Sequence, residues 1–511
     1  MSHGTQTAPA SAAERVALVT DDGSFEEWDA DVASDDPLCF SDTKPYRERL
    51  AEAQRTTGLA EAVLTGQAAL DGRPFAVVAG EFGFLGGSIG VATAERVART
   101  FERALAERLP LVALPASGGS RMQEGTLAVI GMAKLADAAG RLRAAGLPYV
   151  VCLTNPTMGG VLASWGSLGT VTFALPDATV GFAGPRVVEL LTGRALPSRV
   201  QRSETLLAQG LIDDVVPASE LRSGVARVLA VAAGCEEDGA GSPVSSAPAA
   251  PLAADRDAWA SIQHGRDRRR PGAGALLDAI AVDVTVLRGA RDGHPDDPAC
   301  FAALARVAGF PAVVIAQRRR GDGTPAVMNP AGYRKARRAM ALAAELRLPL
   351  VTVVDTPGAE LSEDAERGGL AGQIAGCLAD MAALPVPTVA ILLGEGGSGG
   401  ALALLNADRV LVAEHASLGV IAPEGASAIL YRDVEHAAEL AATQGGASWQ
   451  LLDAGIADTL IPEPRPAHEE PDAFLARIDA ALSATLADIT AADPAARLAA
   501  RHRRWRNVGL S

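Results

Sequence analysis

Asn155-Pro-Thr-Met-Gly-Gly-Val-Leu-Ala-Ser164 follows the apolar run Tyr149 to Leu153, and Gly394-Glu-Gly-Gly-Ser-Gly-Gly-Ala-Leu-Ala403 follows the apolar run Thr388 to Leu393. Their Gly159-Gly160 and Gly399-Gly400 pairs stand 240 residues apart. Two further landmarks keep nearly the same offset. Leu109-Pro110-Leu111-Val112 returns as Leu348-Pro349-Leu350-Val351, 239 residues on, and Gly181-Phe-Ala-Gly-Pro185 as Gly419-Val-Ile-Ala-Pro423, 238 residues on. Such self-similarity marks an internal repeat. Within each half a helix-period stretch (Glu95 to Glu107; Tyr333 to Leu346) leads into a short β-rich run, a Gly-containing turn, a second helix, and a β-rich run that ends on Gly-Gly. This βαβ alternation predicts an α/β fold with largely parallel strands, buried on both faces. Between the halves, residues 234–274 combine Gly, Pro, Ser, Ala and charge without periodicity, which reads as a flexible linker.

Where a strand runs into a helix, the first helical N–H groups lack an intrahelical partner and point outward with the positive end of the helix dipole. Glycine removes the Cβ that would keep a ligand oxygen away. Each turn has an upstream companion, Ala116-Ser-Gly-Gly-Ser-Arg121 in the first half and Asp355-Thr-Pro-Gly-Ala359 in the second. Tight packing would account for one such turn; two at equivalent positions of a repeat point to sites for a negatively charged oxygen. Neither is a P-loop, because Val or Ala follows the glycines where Lys and Ser/Thr are required. No dinucleotide fingerprint, H-E-x-x-H run or nucleophile elbow with its attendant His stands out, and the chain has only seven His. Enolate chemistry needs none of these. Aimed backbone N–H groups suffice, each worth about 2.7–4 kcal/mol in the transition state.

Composition narrows the classes. At about 150 residues per domain, 511 residues make roughly three domains, and 48% hydrophobic with 21% charged residues can bury large cores. The 46 Lys and Arg against 61 Asp and Glu, a net charge of −15, argue against affinity for nucleic acid or anionic membrane. Aromatic residues, at 4%, are too few for stacking on bases, whereas 53 glycines suit a backbone-built site. Cys39, Cys152, Cys235, Cys300 and Cys377 show no C-x-x-C spacing, so no disulfide framework, no thiolate zinc site and no metal are expected. The N-terminus lacks a cationic start followed by an apolar stretch. The most apolar later segment, Met381 to Gly394, is broken by Pro385 and Pro387, so a cytoplasmic protein is expected.

Phe84-Leu-Gly-Gly-Ser-Ile-Gly90, Ala116-Ser-Gly-Gly-Ser-Arg-Met-Gln-Glu-Gly125, Leu153-Thr-Asn-Pro-Thr-Met-Gly-Gly-Val-Leu-Ala-Ser164, Val180-Gly-Phe-Ala-Gly-Pro-Arg186 and Gln201-Arg-Ser-Glu204 resemble the β subunit of the acetyl-CoA carboxylase carboxyltransferase. Gly332-Tyr-Arg-Lys-Ala336, Asp355-Thr-Pro-Gly-Ala359, Glu366-Arg-Gly368, Gly394 to Ala403, Ala422-Pro-Glu-Gly-Ala426 and Leu460-Ile-Pro-Glu-Pro464 resemble its α subunit. The chain thus resembles both subunits fused, from about Arg47 to Pro464.

The resemblance implies two tandem crotonase-like (ClpP/crotonase) domains. It also implies transfer of a carboxyl group from carboxybiotin to the α-carbon of acetyl-CoA or a related acyl-CoA, giving malonyl-CoA or a homologue. In the family's mechanism carboxybiotin releases CO2, the biotin anion takes the α-proton, and the thioester enolate attacks CO2. Two oxyanions form. Gly159 and Gly160, with Gly118 and Gly119 nearby, would hold the enolate oxygen, and Gly399, Gly400 and Ala401 the biotin ureido oxygen. Gly86, Gly87, Arg121, Gly358 and Ser398 would join them in binding substrate, with Arg121 and Glu124 ordering their loop by ion pairing. Ser398 also fits a helix N-cap. Partners implied are a biotin carboxyl carrier protein and a biotin carboxylase, since the chain shows no Met-Lys-Met biotinylation site and no ATP-grasp region. A homodimer or higher homo-oligomer follows, with facing domains usually from different protomers.

The expected layout is an N-terminal extension over 1–46, a β-like domain over 47–233, the linker over 234–274, an α-like domain over 275–490 and a C-terminal basic helix or tail over 491–511. Departures from the family are three. Met1 to Arg47 holds only Cys39 where β subunits of this type usually begin with a four-cysteine zinc ribbon. The loop Arg318 to Asn329 is shortened, and Glu360-Leu-Ser-Glu-Asp364 replaces the usual aromatic and glycine-rich stretch. These keep open a second reading, a decarboxylase of a malonyl-type substrate that uses the same turns, with or without biotin. Arg318 to Arg320 suit CoA phosphates or a solvated strand end, Arg268 to Arg270 a solvated linker, and His502 to Arg506 a surface helix end.

Overall fold

The helices Val91–Glu107 and Pro330–Leu346 each end on an arginine in the left-handed region, Arg108 at φ 55° and Arg347 at φ 57°. That cap turns the chain out of the helix, and Leu-Pro then feeds a central strand in both places. The computed structural model describes residues 10–197, 199–232 and 256–508, which fall into two units, Met1–Ala232 and Ala233–Ser511.

In the first unit the strands are β1 (Glu26–Glu27), β2 (Val63–Leu70), β3 (Arg73–Gly80), β4 (Leu111–Leu114), β5 (Tyr149–Leu153), β6 (Thr157–Met158), β7 (Val171–Ala174), β8 (Val180–Gly181) and β9 (Asp214–Val215). The main sheet runs β1-β2-β3-β4-β5-β7-β9, antiparallel as far as β3 and parallel beyond it, and β6 pairs with β8. The second unit has β10 (Ala281–Val286), β11 (Cys300–Val307), β12 (Phe310–Gln317), β13 (Leu350–Thr356), β14 (Thr388–Gly397), β15 (Arg409–Ala413), β16 (Ser417–Gly419) and β17 (Thr459–Ile461). Its order β10-β11-β12-β13-β14-β15-β17 repeats the first, with the same switch from antiparallel to parallel, and β16 pairs with the end of β14. Leu111 to Leu114 and Val389 to Leu393 are at most 1% exposed, as strands apolar on both faces require.

Strand register fixes the repeat more sharply than the landmarks did. Leu111 pairs with Tyr149 and Leu350 with Thr388; Met158 pairs with Gly181 and Gly397 with Gly419. Leu111 to Leu350, Tyr149 to Thr388 and Met158 to Gly397 are all steps of 239. Gly159 therefore answers to Ser398, and Gly160 to Gly399. The Gly-Gly offset of 240 is one residue out of register, because Ser398 interrupts the glycine run.

Segments expected to lie outside the domains are folded. β1 extends the first sheet and Trp28 enters its core, with the Arg103 guanidinium 3.9 Å from the Trp28 ring centre. Of the expected linker, 234–255 lies outside the described residues, but Ala258–Gly265 is a helix. Asp257 caps it, accepting from the Trp259 and Ala260 amides at 2.9 and 3.1 Å, and Ala258 and Ile262 pack with Ala441 and Ala447. Arg270, expected in solvent, is 3% exposed and donates to Glu463 and to the Leu393 carbonyl. Local composition could not show this, since the acid lies 193 residues away. Asp257→Ala is expected to lower stability by about 1 kcal/mol in a urea titration, whereas a cap in a true linker would cost nothing. At the other end the helix Pro494–Asn507 is docked rather than free. Its Arg501, 1% exposed, donates to both Asp408 carboxylate oxygens at 2.8 and 2.7 Å and to the Met381, Leu384 and Val386 carbonyls.

Candidate functional site

Three glycine-bearing segments of the first unit meet. The Gly118 amide donates to the Gly86 carbonyl at 2.8 Å, the Ile89 amide to the Gly119 carbonyl at 2.9 Å and the Met158 amide to the Ser117 carbonyl at 2.8 Å. Gly87 is needed for close approach, since a Cβ there would stand 2.0 Å from the Ala116 carbonyl oxygen. Gly159, at φ 57°, turns the chain from β6 into the short helix Gly159–Leu162. A Cβ on it would meet the Gly119 Cα at 2.9 Å, while one on Gly119 would lie 3.7 Å from the Gly160 nitrogen. Two amides beside this contact are left over. Ser120 N–H finds no acceptor among the described residues, and Gly160 lies in the first helical turn, where amides lack an intrahelical partner.

The second unit repeats the arrangement. The Gly119 amide donates to Ser117 Oγ at 3.0 Å, and 239 residues on the Gly358 amide donates to Thr356 Oγ1 at 3.3 Å. Ala359 N–H, like Ser120 N–H, has no acceptor among the described residues. The helix Ser398–Leu405 begins on Ser398 at φ 53°, exposed and without a side-chain cap bond; Gly397 is the N-cap, so the expected capping role of Ser398 is corrected. Gly397 sits where it does because a Cβ would stand within 2 Å of the Pro357 carbonyl oxygen. Gly399 and Gly400 follow in the first turn, and a Cβ on Gly400 would lie 2.8 Å from the Ala359 nitrogen. Gln317 and Tyr333 fix this start from below, donating to the Gly400 carbonyl at 3.1 and 3.4 Å. Ala401 is fully buried at the fourth helical position, where the Gly397 carbonyl is its own i−4 acceptor, so it falls outside the donor set.

Arg121, expected to bind substrate, is 1% exposed and its guanidinium is fully engaged. It donates to Glu61 at 2.6 Å, Glu124 at 3.2 Å, Ser34 at 2.7 Å and the Ser88 carbonyl at 2.8 Å. Burial alone would push the Glu61 carboxyl up, yet the Arg121 charge and hydrogen bonds from Arg121, Ser34 and the Ala62 amide hold it below the ordinary carboxylate value. Tyr46, itself buried, donates to Glu124 at 2.5 Å. Arg121 thus anchors the loop that carries Ser120. Gly86-Gly87-Ser88-Ile89-Gly90 fits the letter of a G-x-S-x-G elbow, but the Ser88 hydroxyl donates to the Leu85 carbonyl at 2.9 Å and no described His bonds to it. The second unit solves the anchoring problem differently. Arg319 donates to Asp355 at 2.6 Å, and Asp355 in turn accepts the Glu395 amide at 3.2 Å. Arg319 is therefore structural, while Arg318 lies 5.7 Å from the Phe301 ring centre.

Sequence reasoning named the glycines but missed the Ser120 and Ala359 amides and the acids Glu61 and Asp355. The step of 239 between Arg108-Leu-Pro and Arg347-Leu-Pro was the signal that pairs Gly160 with Gly399. Among the described residues, no group of three or more His, Cys, Asp and Glu is placed to hold a metal ion, and no helix is long and apolar enough to cross a membrane.

Residues 250–509 match the family described as acetyl co-enzyme A carboxylase carboxyltransferase-like, and 9–210 match the carboxyl transferase domain. The chain is 49% identical over 492 residues to a probable biotin-dependent acyl-coenzyme A carboxylase beta3 subunit of Mycobacterium tuberculosis, covering 96% of this chain and 97% of that protein. It is 43% identical over 511 residues to the acetyl-coenzyme A carboxylase carboxyl transferase subunits beta/alpha of Saccharopolyspora erythraea, covering 97% and 88%. The fold is shared with transcarboxylase 12S, solved as a hexamer assembly with methylmalonyl-coenzyme A and methylmalonic acid bound, at a TM-score of 0.75 and 21% identity over 95% of this chain and 91% of that one. Two α/β units of one strand order, two glycine turns in one register and relatives matched over most of their length lead to one conclusion: the chain belongs to the acyl-CoA carboxylase carboxyltransferase family, with its β and α parts joined in one polypeptide.

Proposed function

We propose that this cytoplasmic enzyme moves a carboxyl group from carboxybiotin, borne on a separate carrier protein and charged by a biotin carboxylase, to the α-carbon of acetyl-CoA or a related acyl-CoA. The observation that supports it most is the duplicated donor geometry at a step of 239 residues. Removing the α-proton of an acyl-CoA thioester puts negative charge on its carbonyl oxygen. The Ser120 and Gly160 amides bind that oxygen, Gly159 and Gly119 supplying the clearance. The Ala359, Gly399 and Gly400 amides bind the ureido oxygen of the carboxyl donor, which supplies the transferred group when bound. Glycine at 400 lets the start of this helix lie against the Gly358-Ala359 backbone, since a Cβ there would stand 2.8 Å from the Ala359 nitrogen, and this brings the two sets of amides together. Gly358 and Ser398 frame this second site.

The family does not favour the decarboxylase reading. The two differ in a simple assay. With malonyl-CoA and free biotin the purified chain is expected to form acetyl-CoA only when biotin is present; CO2 release at the same rate without biotin would overturn carboxyl transfer.

The segments next to each turn in the chain or the strand pairing carry exposed apolar side chains, Met122, Phe182 and Leu190 in the first unit and Leu361, Val420 and Ile429 in the second. These are the surfaces that further copies of the chain cover in a homo-oligomer.

A further inference from the structure

We propose that Arg266 is a positioning residue of the second glycine turn and acts through Glu395. This rests on the assignment of that turn to the carboxyl donor. Arg266 is the C-cap of the helix Ala258–Gly265, inside the stretch that reads as linker in the sequence. The helix is held hard against the second unit. A Cβ on Gly265 would stand 2.2 Å from the His415 carbonyl oxygen, Ser261 Oγ lies 3.0 Å from His415 Nδ1, and Arg319 donates to the Gly265 and Asp267 carbonyls at 3.3 and 3.0 Å.

From that fixed base Arg266 Nε donates to Glu395 at 2.6 Å and Nη1 to Glu424 at 2.7 Å. Glu395 belongs to the Gly394 to Gly400 run, and Glu424 opens the helix Pro423–Leu430. Glu395 is gripped at both ends, its amide by Asp355 and its carboxylate by Arg266. Two residues on, Gly397 passes against Pro357 with no room to spare, so movement at Glu395 carries into the turn. The other Glu424 oxygen is buried with no partner among the described residues, which leaves Arg266 as the group that balances its charge. Arg266, with its side chain one fifth exposed, lines an open pocket together with Ile262, Pro357, Gly397 and Gly419. It is therefore a wall of a pocket that reaches Gly397, at the start of the turn, rather than a core residue.

One guanidinium holds two carboxylates apart in charge. Without it the like charges repel and drive the end of β14 away from the helix that carries Glu424. Donors displaced by about 1 Å lose up to about 100-fold in rate.

The test uses the full chain in malonyl-CoA to free biotin carboxyl transfer, with Arg266→Met, Arg266→Lys and the pair Arg266→Met/Glu424→Gln. Arg266→Met is expected to lower kcat about tenfold or more, with KM for malonyl-CoA unchanged and the melting temperature close to that of the unaltered chain. Arg266→Lys, and removal of the repelling charge in the pair, are each expected to restore part of kcat. Unchanged kcat in Arg266→Met, a joint loss of kcat, malonyl-CoA affinity and thermal stability, or no recovery in the pair would overturn the role. If the unaltered chain transfers nothing, the assignment of the turn falls with it; if it transfers while Arg266→Met matches it, only the role of Arg266 falls.

Discussion

Gly160→Val is expected to cut carboxyl transfer by about 100-fold to 1000-fold in kcat, the loss that follows removal of one oxyanion donor. The side chain would enter where Ser120 Oγ, 2.4 Å from the position of a Cβ, and Met132 Sδ, at 3.1 Å, now stand. It would shield the Gly160 amide and push the Ser120 segment aside. Because that steric term could act through folding alone, Gly160→Ala combined with Ser120→Ala separates the two. The pair removes the hydroxyl that collides with the new methyl and leaves both backbone amides in place, so the chain should melt near its usual temperature and keep far more transfer than Gly160→Val. Full activity in both variants would show that the first turn does not hold the enolate oxygen. Steady-state kinetics beside a thermal melt measures both quantities.

Arg121→Ala is expected to destabilise the first unit by about 3–5 kcal/mol, because it strands Glu61 and Glu124 in a buried site without their cation. Urea titration followed by tryptophan fluorescence reads the loss. Its pH dependence is set by the sign of the Glu61 shift. In the unaltered chain Glu61 is held below the ordinary carboxylate value, so its contribution is complete above the unfolded value and disappears as pH falls through the lower folded one. Without Arg121, burial drives the Glu61 carboxyl up instead. The deficit of the variant should therefore be largest near neutral pH and narrow as pH falls and the buried acid becomes neutral. A deficit that grows on acidification would contradict the ion-pair account. Activity should fall as well, since Arg121 aims the loop that presents the Ser120 amide.

How far the sequence could be read is clearest at particular residues. Leu109-Pro110 and Leu348-Pro349 revealed the repeat because a helix C-cap and the strand after it are local events, written in adjacent residues. Gly159, Gly160, Gly399 and Gly400 were legible for the same reason, since a sharp turn between strand and helix needs glycine where it occurs. The apolar runs of β5 and β14 likewise announced buried parallel strands. The Arg121–Glu124 ion pair, three residues apart, was legible, whereas the burial of Arg121 against Glu61 and of Arg270 against Glu463 depends on what lies across the fold.

By itself, the sequence determined the doubled α/β plan and the two glycine corners where a strand runs into a helix. Periodicity, composition and turn chemistry act over a few residues, and those are the distances a linear reading can span. The tertiary structure alone decided that Ser398 stands where Gly159 does, that the Ser120 and Ala359 amides are left without an acceptor among the described residues, and that a stretch resembling linker supplies Arg266 and Arg270 to the second unit. Register is set by hydrogen bonds between strands, and the partner of a buried charge is set by burial. In this chain such partners lie as much as 193 residues apart, beyond the reach of any local pattern.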